Sequence, residues 1–377
     1  MASCQGFGGG MGAAGAPYWA HDVQPMVTVT GMGSWPGQDV RLALGAVSDD
    51  LAVLTEEGLV GMPYLTELPA RGPGSDMVGR SAHLLVDLPI DLQPQGWRLV
   101  DRPGLDATRT ASLWRQDLDQ LAEVFDGFQG ELKLQVVGPW TLASETWLPL
   151  GDRVLSDAGA IRDVSASLGA GVAEHVHTVS RLLPRASVVL QLDEPSLPRV
   201  LRGQVPSASG YRRLPAPDPE VASSVIGTVL RAAHDAGAVM TALHCCATRP
   251  PLRVMREAMG GVFSVGESGR RALSVDTTSL GARDWEGLAT AVEAGLSLWA
   301  GAVPTDAPSD PRQPSAYREH HDALVGRWHD VGLPSDRLAD LMVSPTCGLA
   351  GLTPDRARSV TGDTVDLGRA LAETAAS

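Results

Sequence analysis

The sequence predicts an α/β fold, a single (β/α)8 TIM barrel. Three observations predict it. Eight short apolar runs rich in Val, Leu and Ala alternate with amphipathic stretches. The runs are apolar along their whole length, as strands buried on both faces of a parallel sheet should be. Polar residues then recur at their carboxyl ends, where such barrels carry their chemistry. A doubly wound open sheet is the runner-up, because a strand count alone does not require closure.

Taken in order, the expected strands are Met26–Ser34, Met62–Leu68, Leu132–Gly138, Val188–Glu194, Val239–Cys246, Ala272–Thr277, Leu296–Val303 and Leu341–Cys347. Between them, Ser112–Phe125 places Leu113, Leu118, Leu121 and Phe125 on one side of a helix. Ala160–Leu183, Pro219–Ala236 and Pro354–Ala375 are further helices, the last two opening on a proline that a first turn accepts. Asp87–Pro103 and Gly260–Arg271 are polar, turn-rich insertions. Residues 1–25, with their Gly/Ala-rich run, read as a flexible tail in which Cys4 is incidental, and residues 26–377 as the one catalytic barrel.

Composition narrows the function classes. Thirty basic against forty-four acidic residues give a net charge of −14, which opposes general binding to nucleic acid or to an anionic membrane surface. No apolar run is long enough to predict a membrane span. The N-terminus lacks the basic start and leucine-rich centre of a signal peptide. Four cysteines, two of them adjacent, do not make a disulfide framework in 377 residues. Reduced thiols available to a metal fit better and point to the cytoplasm.

The strand ends carry the chemistry. Ser34, Glu67, Asp193 with Glu194, His244, Asp276 and Cys347 all follow apolar runs. His244 and Cys246 stand two apart on one strand, so their side chains share a face, while Cys245 points to the other and should pack as a hydrophobe. His244, Cys246, Asp276 and Cys347 form a set of the nitrogen, sulfur and carboxylate kind that zinc prefers, with Glu267 the rival of Asp276 for the fourth place. Zinc deprotonates a bound thiol, and two thiolates with one carboxylate leave such a site at about −1. That favours a reactive sulfur over carbonyl polarisation, hence alkyl transfer to a thiol. Of the adjacent Asp193 and Glu194, only one can face the mouth, and Asp193 is favoured. Glu67 and Asp193 would receive an ammonium group, and Gly31-Met-Gly-Ser34 would offer backbone amides to a carboxylate. His175 and His177 lie about 200° apart around a helix and cannot share one ion. His320, His321 and His329 read as surface residues. No Gly-x-Ser-x-Gly elbow supports a serine hydrolase.

Thr30-Gly-Met-Gly-Ser34, Thr66-Glu67 with Asp76-Met-Val78, Val137-Gly-Pro-Trp-Thr141, Gln191-Leu-Asp-Glu-Pro195, His244-Cys-Cys246 and Pro345-Thr-Cys-Gly348 occur in this order. The ordered set resembles the C-terminal catalytic barrel of cobalamin-independent methionine synthase and covers nearly all of the chain after residue 26. The resemblance implies a fold of the uroporphyrinogen decarboxylase/methionine synthase kind and zinc-dependent methyl transfer to homocysteine, giving methionine. It implies His244, Cys246 and Cys347 as zinc ligands, with Asp276 where the family has glutamate. By the same resemblance Ser34, Glu67 and Asp193 hold the amino acid, and Trp140 lies on the methyl-donor side. Two departures stand out: the N-terminal barrel of long members is not in this sequence, and Leu298–Asp306 lacks the histidine linked to proton delivery from the folate. They turn the expected donor from methyltetrahydrofolate toward a methyl-corrinoid, protein-borne as in short members. A zinc alkyltransferase acting on coenzyme M, a metal-free uroporphyrinogen decarboxylase-like enzyme and a non-enzymatic zinc scaffold are the alternatives.

Overall fold

The computed structural model describes residues 26–262, 269–305 and 317–377. Eleven strands lie among them: β1 (Val27–Val29), β2 (Thr55–Glu56), β3 (Leu59–Gly61), β4 (Ile90–Gln93), β5 (Gly96–Leu99), β6 (Gly130–Val137), β7 (Ala186–Asp193), β8 (Met240–Cys245), β9 (Arg270–Asp276), β10 (Ser297–Val303) and β11 (Met342–Pro345). Nine of them form one sheet in the order β2-β3-β1-β11-β10-β9-β8-β7-β6. Every pairing in it is parallel except β2 with β3.

The sheet curls until β6, at one end, and the chain that follows β1 share a neighbour. Beyond β3, the extended segment 62–67 bonds on one side to the chain following β1, through Met62 N–H to the Val29 carbonyl and Glu67 N–H to the Gly33 carbonyl. On its other side Leu65 N–H reaches the Lys133 carbonyl in β6, and Lys133 N–H returns to the Pro63 carbonyl. This mixed α/β arrangement, with helices around a curled parallel sheet, is compatible with a TIM-like barrel. Seven of the eight predicted runs contain a strand, and the eighth, Met62–Leu68, pairs through isolated bridges at Tyr64 and Glu67.

Side-chain alternation sorts the interior into two cores. Met62, Val189, Met240, Ala242, Ala272, Trp299 and Met342 cluster on the inner face. The larger core lies between the sheet and the helices and includes Cys245, which packs there fully buried. The longest helix, Ala158–Leu182, shows how that core is made. Asp157 caps it by accepting from Ala160 N–H at 2.9 Å. Ile161, Val164, Leu168, Val172, Val176 and Val179 recur at helical spacing and are buried, at about 1.5–3 kcal/mol each for the larger side chains. Gly171 lets the helix approach the Leu84 carbonyl so closely that a Cβ would lie 1.7 Å from it.

The insertion Asp87–Pro103 folds as the β4–β5 antiparallel hairpin. Its Asp91 accepts from the N–H groups of Asp106 and Ala107, so the helix expected from Ser112 begins at Leu105. Part of the insertion Gly260–Arg271, with Glu267, lies outside the described residues, as do the N-terminal tail and Asp306. No helix among the described residues is long and apolar enough to cross a membrane.

Candidate functional site

Parallel register brings the strand ends together. Val137 of β6 lies beside Asp193 of β7, Asp193 beside His244 of β8, and His244 beside Ser274 of β9. His244 is buried, and its Nδ1 lies 2.8 Å from Ser274 Oγ, which leaves Nε2 for a different partner. Burial first, and then the charge of Lys133, hold its pKa down at about 3, so the imidazole is neutral.

Cys246, just past β8, and Cys347, just past β11, meet. Their thiols lie close enough for an interaction that lowers the pKa of Cys347 and raises that of Cys246. The Gly348 N–H further favours the Cys347 thiolate. Cys246 is half-buried and Cys347 exposed. Asp276 is near enough for its charge to act on Cys347. Its carboxylate, however, accepts from Thr278 N–H at 2.9 Å and Thr278 Oγ1 at 2.6 Å, capping the turn Thr277–Ser279. Among the described residues no three His, Cys, Asp or Glu side chains are gathered as a metal site. The two thiols have come together, while His244 is tied to Ser274 and Asp276 to Thr278.

Beneath the strand ends is a buried polar cluster in which the expected acids Glu67 and Asp193 meet Lys133, Gln191 and Arg80, partners that the sequence did not announce. Lys133 of β6 is fully buried and donates from Nζ to the Gly31 carbonyl and to Gln191 Oε1. The Tyr64 and Trp299 rings flank it, at 5.3 and 5.9 Å from their centroids. Gln191 Nε2 donates in turn to Asp193 Oδ1 at 2.7 Å and to the Met32 carbonyl at 3.1 Å. Glu67 lies 3.8 Å from Arg80 Nε, and Arg80 is paired to Asp117, which also holds Arg71 through two 2.7 Å bonds. Burial raises the pKa of Glu67 and of Asp193, and their mutual repulsion raises Asp193 further, opposed by Gln191 and Lys133. Burial likewise lowers the pKa of Lys133 against the pull of both carboxylates. One signal was available: Leu132-Lys133-Leu134-Gln135-Val136 alternates, placing Lys133 and Gln135 on one face.

Ser34 is bridged to Glu67 and seats the loop that carries Cys347. The Leu349 N–H donates to its carbonyl at 3.0 Å, and a Cβ on Gly348 would lie 2.1 Å from its Oγ. Asp193 and Glu194 divide their tasks. Glu194 is fully buried and accepts from Trp140 N–H, Thr141 N–H and Thr141 Oγ1, holding the amino end of the helix Pro139–Glu145. Trp140, expected beside the methyl donor, has its side chain in the core at 1% exposure, with the indole N–H on the Ala222 carbonyl. His175 is buried against Trp114, ring centroids 4.7 Å apart, with neither nitrogen hydrogen-bonded. His321 bonds Thr374 and His329 bonds Ser335, away from the strand ends.

No protein-family model matches the chain, and no curated protein sequence does. Among solved structures it is similar to a B12-independent methionine synthase from Shewanella sp. W3-18-1, in complex with selenomethionine, at 12% identity over 93% of this chain and 98% of that one, with a TM-score of 0.48. It is also similar to the carboxyl transferase domain of Rhizobium etli pyruvate carboxylase, at 12% identity over 68% of this chain and 43% of that one, with a TM-score of 0.31. With TM-scores below 0.5, these overlaps carry no assignment to the chain.

Proposed function

We propose that the chain is a methyltransferase that moves a methyl group to the thiol of homocysteine, on a (β/α)8 barrel of the methionine synthase kind. The observation that carries this reading is the meeting of the Cys246 and Cys347 thiols near the buried Asp193, which Glu67 faces in turn. Two neighbouring thiols and a neutral imidazole are the donor types that zinc takes, the thiols as thiolates. His244, Cys246 and Cys347 would hold it, with Asp276 freed from Thr278 or Glu267 as the fourth. Bound zinc would supply deprotonation of an incoming thiol at neutral pH.

The chain's own residues do the rest. Asp193 and Glu67 sit where an ammonium group is the welcome ligand, because both are buried and the charge of Glu67 disfavours that of Asp193. The turn Gly31–Ser34 carries the backbone for the carboxylate end of the amino acid. Lys133 favours the charged form of both acids and Arg80 that of Glu67, against the burial that raises their pKa values. A thiol without an amino group leaves these carboxylates unmatched, which favours homocysteine over coenzyme M. The test supplies zinc, homocysteine and a methyl donor to the purified chain and measures methionine. Absence of methionine with every donor, together with no zinc uptake, would sink the proposal.

A further inference from the structure

We infer that Lys133 is a positioning residue for amino-acid recognition: through Gln191 it orients Asp193, and through the Gly31 carbonyl it anchors the turn Gly31–Ser34. The inference rests on the function proposed above and deepens it.

A fully buried ammonium is costly, and apolar side chains fill the inner face nearby, so a lysine is not needed to fill the space. Its bonding shows what it does. Lys133 Nζ donates both to the Gly31 carbonyl and to Gln191 Oε1, so the amide is set with its oxygen toward the lysine and its nitrogen toward Asp193. Gln191 Nε2 then has two hydrogens, one on Asp193 Oδ1 and the other on the Met32 carbonyl. The lysine thereby fixes Asp193 by one oxygen and leaves Oδ2 for a ligand. With Lys133 on the Gly31 carbonyl and Gln191 on that of Met32, two consecutive carbonyls of the turn are held from beneath. Both glycines of the turn lie too close to this layer to carry side chains. A Cβ on Gly31 would meet the Tyr64 ring at 2.5 Å, and one on Gly33 would meet Gln135 at 2.6 Å. One buried residue thus couples the acid that receives the ammonium to the turn that receives the carboxylate.

Calorimetric binding of methionine and of 4-(methylthio)butanoate, which lacks only the amino group, tests this without a metal-dependent step. Wild type, Lys133→Met and Gln191→Leu are compared. Wild type should prefer methionine, and each variant should lose that preference by about tenfold or more with little change toward the deaminated ligand. Gln191→Leu retains Lys133 and its bond to Gly31, so it gives the answer even if Lys133→Met does not fold. A preference kept in Gln191→Leu overturns the inference and leaves the proposed function standing. A wild-type chain that shows no preference overturns both.

Discussion

The Cys246 and Cys347 thiols lie close enough to shift each other's titration, although one follows β8 and the other β11. Two neighbouring thiols at the ends of parallel strands can exchange their protons for a metal. Elemental analysis of the purified chain should find about one zinc per chain. The metal should be lost in Cys246→Ser and Cys347→Ser, and kept in Cys245→Ser, whose thiol belongs to the outer core. Zinc retained at unchanged affinity in Cys347→Ser would defeat the ligand assignment.

Asp193→Asn should weaken homocysteine binding by about 1–3 kcal/mol, the range for a lost charged hydrogen bond. The same substitution should change the binding of 4-mercaptobutanoate, the thiol without the amine, far less. Equal losses for the two thiols would remove Asp193 from ammonium recognition.

On the proposed function, the leaving group decides which methyl donor serves. A folate amine leaves poorly unless protonated, and Leu298–Asp306 carries no histidine to supply the proton. A corrinoid leaves without one. Methionine formation should therefore be faster from a methyl-corrinoid, protein-borne or free, than from methyltetrahydrofolate. Brisk turnover with the folate and none with methylcobalamin would reverse this order.

His175 is buried without a hydrogen bond, and burial, followed by the charge of Arg80, lowers its pKa from 6.5 to about 3. Between those values the unfolded chain binds a proton that the folded chain does not. Stability should thus rise with pH across this window and fall as pH drops through it. In His175→Phe that contribution disappears, so urea unfolding at several pH values should show a flatter acid limb. An unchanged acid limb would place the proton uptake elsewhere.

Gly171 is a second purely structural test. A methyl group there would press on the Leu84 backbone carbonyl, which no side-chain rotation relieves. Gly171→Ala should destabilise the fold by about 1–3 kcal/mol despite alanine's better helix propensity. A chemical denaturation midpoint at or above that of wild type would show that the helix can shift away.

What the sequence determined by itself is the local pattern. Apolar runs with strand length, helical spacing in stretches such as Pro354–Ala375, and polar residues at strand ends depend only on near neighbours in the chain, and period 2 or 3.6 records them. The same alternation put Cys245 on the face opposite its neighbours. Tertiary structure decided everything that depends on which strand lies beside which. Asp91 caps the helix Leu105–Val124 from a hairpin, and Glu194 holds the start of Pro139–Glu145 from β7. Neither acceptor is close in sequence to all of the donors it serves, so no capping pattern announces it. Trp140, which the family resemblance puts on the methyl-donor side, is buried with its indole N–H on the Ala222 carbonyl, a contact between the helices Pro139–Glu145 and Pro219–Asp235 that no local pattern encodes. Lys133, Gln191 and Asp193 lie on adjacent strands, and only parallel register and the curl of the sheet bring a lysine beneath an acid. Register and curvature arise from the packing of the whole chain, and no window of sequence contains them.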